Sequence, residues 1–142
     1  MAASLAAAVL EGQGAASELH DAANLRAAVH ALVDHIEVGR WSTLWAASPA
    51  AAALIAAALV SVGPDVRSIP DLPSVPPENI LVVEAVLVSG LLLHRRVAQA
   101  KASGVERVGA YVWRQVQVEG RSPLFGDLRA KEIVVASEST VG

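Results

Sequence analysis

Four apolar residues in a row, Ile80-Leu81-Val82-Val83, run directly into an acid, Glu84, and a Ser89-Gly90 pair further on opens a helical pattern. An unbroken Ile/Leu/Val run is what a strand shows when both of its faces are covered, as in the centre of a parallel sheet. A strand with one wet face would alternate apolar and polar residues instead. The acid that follows needs a partner or water, because a carboxyl delivered by a buried strand is costly to leave alone. In open α/β sheets the carboxyl ends of the strands are also where ligands bind. This stretch therefore sets both the fold expectation and the candidate site.

The rest of the chain fits around such a strand. Residues 1–15 are rich in alanine and broken by Gly12 and Gly14, which gives a short helix or a loose N-terminal arm. From Ser17 onward, Leu25, Val29, Leu32, Val33 and Ile36 recur at three- and four-residue spacing, the period of one helical face. Asp21 or Asn24 can cap that helix, and Gly39 suits the left-handed position that ends it. Trp41 to Ala47 reads as a first buried strand. Ser48-Pro49 turns the chain, and Ala50 to Leu59 is helical, proline being harmless at a first helical position where the N–H has no partner anyway. Residues 64–79 carry five of the seven prolines and form a stiff, mostly extended connector, with a short strand at Val66 to Ile69.

Beyond the central strand, a helix from Gly90 to Gly104 turns Leu92, Leu93, Val97 and Ala100 to the core, and Arg95, Arg96, Gln99 and Lys101 to water. Val105 to Val118 alternates, with Val108, Ala110 and Val112 on one side and Tyr111 and Trp113 on the other, as a strand does. Turns at Ser122-Pro123 and Gly126-Asp127 lead to a last strand at Ile133 to Ala136. Strands alternating with helices predict an α/β fold, a mostly parallel sheet flanked by helices in three layers. At 142 residues the chain makes one domain, 1–142.

Composition closes several alternatives. A net charge of −3 lacks the basic face of a nucleic-acid binder. With no cysteine there are no disulfides, thiolate metal sites or Cys nucleophile, in keeping with a cytoplasmic protein. Leu44 to Gly63 matches the roughly 20 residues that cross a bilayer, but it is mostly alanine, interrupted by Ser48-Pro49, and no membrane association is expected. His30 and His35 stand five apart on their helix, not the four that would bring both to one metal, so no metal site is expected.

The apolar strand, the acid, the loop ending in Ser89-Gly90, the helix, and Gly104-Val-Glu-Arg-Val-Gly-Ala-Tyr-Val together resemble the phosphoribosyl-pyrophosphate motif region of the type I phosphoribosyltransferases. Upstream, Leu44-Trp-Ala-Ala-Ser-Pro-Ala-Ala-Ala-Ala-Leu is similar to the family's first strand and pyrophosphate loop. The Leu25 to Ile36 helix resembles the leading helix of orotate-type members. The resemblance covers residues 20–118 and implies a phosphoribosyltransferase-like fold. It further implies that Glu84, Ser89 and Gly90 mark a phosphoribosyl-binding region, and that Ala47, Ser48, Pro49 and Ala50 stand at a pyrophosphate loop.

The same resemblance exposes four departures. The family places two adjacent acids on the ribose hydroxyls, often with magnesium; here Ala85 takes the second place. Val88, Leu91 and Leu92 replace the small or polar residues of the phosphate loop, where a dianion would find few donors. The pyrophosphate loop has neither a Gly-Gly pair nor a basic residue, and the connector has no lysine to close over a substrate. Departure of pyrophosphate needs positive charge placed where negative charge develops.

The expectation is a catalytically inactive, phosphoribosyltransferase-like protein that binds a nucleotide or phosphoribosyl ligand or serves as a regulatory partner, as a homodimer or with another protein. No catalytic residue and no cofactor are assigned, magnesium being expected only if the phosphoribosyl-pyrophosphate site survives. The alternatives are an active transferase completed by dimerisation and a purely structural α/β interaction protein. At Glu84 the sharp reading is a grip on ribose hydroxyls; the bland one is an acid that caps a local N–H or meets solvent. Ser89-Gly90 reads either as an anion-loop remnant or as a simple helix cap, and the His94-Arg95-Arg96 and Lys101 cluster reads as a phosphate patch or a solvated face.

Overall fold

Helix α1 spans Ala22–Gly39, strand β1 Thr43–Ala46, helix α2 Pro49–Leu59 and strand β2 Arg67–Ile69. Strand β3 follows at Asn79–Leu87, helix α3 at Leu91–Ala102, strand β4 at Arg107–Val118 and strand β5 at Ile133–Val141. These elements come from a computed structural model that describes residues 22–87, 91–118 and 133–141, with side chains placed over 24–85 and 92–114. The expected N-terminal arm, the Asp21 cap and the turns at Ser122-Pro123 and Gly126-Asp127 lie outside the described residues, as do Ser89 and Gly90.

All five strands are parallel, in the order β2-β1-β3-β4-β5. The chain winds outward from β1 in both directions, to β2 on one side and through β3 and β4 to β5 on the other. Right-handed crossovers then place α2 and α3 on opposite faces of the sheet. Two clusters record this. On one face Leu32 and Ile36 of α1 and Leu54 and Ile55 of α2 pack against Leu44, Leu81, Val83 and Tyr111. On the other, Leu93, Val97 and Ala100 of α3 cover Trp45, Ile80, Val82, Ala110 and Val112. Ile80 to Val83 are wholly buried, as a run covered on both faces requires. Each fully buried Leu, Ile or Val contributes roughly 1.5–3 kcal/mol of transfer free energy.

Several local expectations are corrected. Asn24 lies inside the first turn of α1 and does not cap it. Gly39 ends that helix, but the left-handed residue is Arg40, at φ 55°. Trp41 N–H donates to the Ile36 carbonyl (3.1 Å) and Arg40 N–H to the Glu37 carbonyl (3.3 Å), a Schellman closure with Arg40 at C′. Glycine is needed at 39 because a Cβ there would meet Trp41 Nε1 at 2.5 Å. The same closure ends α3, now with Gly104 at C′ (φ 93°), as expected. Leu92 is 49% exposed and does not join the core. β3 runs on past Glu84 to Leu87, because the long β4 goes on pairing with it, Val86 to Arg114 and Leu87 to Gln115. No helix among the described residues is long and apolar enough to cross a membrane; α2, at 11 residues, is roughly 16 Å long.

Candidate functional site at the sheet switch point

β1 and β3 are where the winding direction reverses, and ligand sites of open parallel sheets form outside the carboxyl ends of such a pair. Polar links tie these strands at both ends. At the amino ends, Asn79 Oδ1 accepts from the Ser42 backbone N–H (2.9 Å) and from Ser42 Oγ (3.3 Å). At the carboxyl ends, Ala47 N–H donates to the Val83 carbonyl (2.8 Å), which carries the pairing one residue past β1. Ser48 then leaves the sheet as the extended N-cap of α2 (φ −150°, ψ 165°), with Pro49 in the first turn. Its Oγ accepts from Ala51 N–H (3.2 Å) and donates to Glu84 Oε1 (2.5 Å).

The Glu84 carboxyl also accepts from the Ala85 backbone N–H (2.9 Å), and the residue is 6% exposed. Glu84 is thus a buried group within β3, engaged with the β1–α2 loop and its own backbone. Of the Ala47, Ser48, Pro49 and Ala50 loop, the structure joins Ser48 to Glu84 and Ala47 to the neighbouring Val83. That loop is poor in free donors. Pro49 has no N–H, Ala51 donates to Ser48 Oγ, and Ala52 donates to the Ser48 carbonyl (3.0 Å).

Beside this link a pocket of about 460 Å³ opens at the carboxyl ends of β1 and β2, a size usual for small-molecule sites. Trp45 to Pro49 form one side, Ala52 and Ile55 of α2 another, and Ser68, Ile69 and Pro70 a third. Arg96 of α3 completes it, its guanidinium carbon 4.6 Å from the centre of the Trp45 ring. Arg96 is therefore half-buried against an aromatic face at the pocket wall. Arg95, its neighbour, is exposed, so the expected basic cluster divides. Arg96 was legible in principle: it stands three residues after Leu93 and four before Ala100, on the stripe that faces the sheet.

Across this architecture the likeness to solved structures is consistent. A hypoxanthine-guanine phosphoribosyltransferase from Bacillus anthracis superposes with a TM-score of 0.63 at 19% identity, over 82% of this chain and 77% of that one. The chain has the phosphoribosyltransferase fold. A purine phosphoribosyltransferase from Pyrococcus horikoshii gives a TM-score of 0.59 at 11% identity, over 82% of this chain and 83% of its own. The hypoxanthine-guanine phosphoribosyltransferase of Schistosoma mansoni, in complex with IMP, gives 0.54 at 18% identity, over 81% and 63%. The sequence matches no protein-family model and no curated protein.

On the phosphoribosyltransferase fold, magnesium is the implied ion, and its fit rests on the acids present. Among the described residues no three His, Asp or Glu side chains gather to hold a metal. Glu84 has Ala85 beside it and is already bound to Ser48 and to a backbone N–H. The described residues therefore gather no set of ligands for a resident magnesium.

Proposed function

We propose that this chain is a phosphoribosyltransferase-fold protein without transferase activity, which binds a nucleotide-like or phosphoribosyl ligand and acts as a regulatory partner. The observation that carries the reading is the closed Glu84 position. The one acid at the place where the resemblance puts two is buried and bound to Ser48 Oγ at 2.5 Å. Both bonds fall on Oε1 and hold the carboxyl against the β1–α2 loop, so that swinging it toward a ligand gives up bonds worth roughly 0.5–1.5 kcal/mol each. The donor-poor Ala47–Ala50 loop supports the same reading, since little in it would stabilise departing pyrophosphate. Binding can outlast catalysis because it needs only the pocket, whereas turnover needs charge placed on the transition state. A cytoplasmic homodimer completes the proposal, the lack of cysteine being compatible with a reducing compartment.

The test is a melting experiment with IMP, and with phosphoribosyl pyrophosphate plus magnesium, run beside a pyrophosphate-release assay with hypoxanthine and guanine. A ligand at a hundredfold excess over its Kd stabilises by about 2.7 kcal/mol, so the expected result is a raised melting temperature without pyrophosphate release. Release with either base would establish an active transferase instead. No shift with any of these compounds would leave the structural role as the better account.

A further inference from the structure

The geometry points to the pocket at the carboxyl ends of β1 and β2 as a site for a small carboxylic acid with an apolar body, held by Arg96. This deepens the ligand-binding reading above and rests on the same pocket. Arg96 is the one charged residue among the described residues that line it. Its guanidinium lies over Trp45, which is 1% exposed, and it takes no hydrogen bond or ion pair among the described residues. A guanidinium drawn to an aromatic face by the ring's charge distribution still carries its fork of N–H donors, which matches the two oxygens of a carboxylate. That attraction also holds the side chain beforehand, so less rotamer entropy is lost on binding.

The rest of the lining decides the ligand class. Ala52, Ile55, Ile69 and Pro70 offer apolar wall, while Ser48 and Ser68 supply hydroxyls. Ser48 Oγ already serves Ala51 and Glu84. A phosphate or pyrophosphate brings more oxygens and more charge than one fork can meet, and the α2 first turn has few N–H groups left to add. A single negative charge on a planar two-oxygen group matches one arginine, and the apolar body of the acid gains by covering the alkyl walls.

Sodium benzoate and inorganic pyrophosphate are the probes, titrated into the full chain while the Arg96 Nε–H resonance is followed by NMR. Benzoate is expected to shift that resonance to saturation and to bind at least about tenfold more tightly than pyrophosphate, the ratio that one well-formed charged contact supplies. Arg96→Gln is expected to weaken benzoate about tenfold or more. Arg96→Lys should not restore it, since an ammonium lacks the fork. Should Arg96→Gln fail to fold, Arg96→Lys alone carries the comparison. Tighter binding of pyrophosphate than of benzoate, an unshifted Arg96 resonance, or benzoate affinity unchanged in a folded Arg96 variant would overturn the assignment. A thermal shift with phosphoribosyl pyrophosphate, together with benzoate affinity unchanged in a folded Arg96→Gln chain, would uphold the proposed function while removing this inference. Benzoate binding without response to any phosphoribosyl compound would do the reverse.

Discussion

Glu84 and Ser48 are 36 residues apart in sequence and share one short hydrogen bond. Truncating either leaves the other's polar atom facing a buried gap, which costs about 1–3 kcal/mol when no water can replace the partner. Glu84→Ala would also orphan the Ala85 N–H, and Ser48→Ala would remove the cap of α2, typically about 1 kcal/mol. Both variants are expected to lower the urea midpoint of unfolding, and the double variant should cost less than the sum of the singles by about 1 kcal/mol. That coupling identifies the pair as a structural tie. An acid retained for ligand contact behaves otherwise, since its removal commonly stabilises a protein. Strict additivity, or a gain in stability with Glu84→Ala, would reopen the ribose-gripping role.

At the scale of elements, the joint between α1, β1 and β4 turns on Trp41. Its ring sits against two glycines: a Cβ on Gly39 would meet Nε1 at 2.5 Å, and one on Gly109 would meet Cη2 and Cζ2 at 2.6 Å. Arg107 covers the same ring at 3.8 Å and donates Nη1–H to the Gly39 carbonyl (2.6 Å). Gly109→Ala is therefore expected to destabilise by about 1–3 kcal/mol, the usual range for forcing extra volume into a packed core. Chemical denaturation measures it, and restored stability on adding Trp41→Leu would show that the clash is with the indole. A glycine inside a strand often marks such a close approach, yet nothing local says which ring approaches. What could be read in order along the chain was the periodicity: the α1 stripe, the apolar β3 run and the β4 alternation, because burial on one face or two writes itself into neighbouring residues. What could not was the meeting of distant parts, such as Glu84 with Ser48 or Arg96 with Trp45. Arg96 reads as solvated when its charge is weighed ahead of its position on the α3 stripe. The extension of β3 beyond Glu84 is hidden for a related reason, since an acid reads as the end of a strand that its partner β4 in fact prolongs.

The stability of the whole molecule also carries a titration. His35 of α1 packs against Tyr111 of β4, the rings tilted by 31° with centres 5.1 Å apart. Burial, and then the charge of Arg107, hold its pKa below the usual 6.5, with Asp34 pulling weakly the other way. Tyr111 is buried as well, its hydroxyl pushed up to about 12 by burial and unpartnered among the described residues. The unfolded chain therefore binds a proton at His35 more readily than the folded one does. Where the unfolded state holds more protons, stability rises with pH. The His35 contribution is accordingly complete above the unfolded value and is lost as the pH falls from there through the depressed folded value, below which it changes no further. His35→Phe keeps a ring against Tyr111 and removes the titration. Urea midpoints measured from about pH 8 down to about pH 5 should thus fall more steeply for the parent chain than for His35→Phe, with the two profiles diverging near and below the ordinary histidine range. Comparing the two chains cancels the carboxyl groups they share, so the difference belongs to the α1–β4 contact. Parallel profiles would mean that this contact admits enough water to hydrate an imidazolium, and α1 would then be held to the sheet by Leu32 and Ile36 without help from the ring pair.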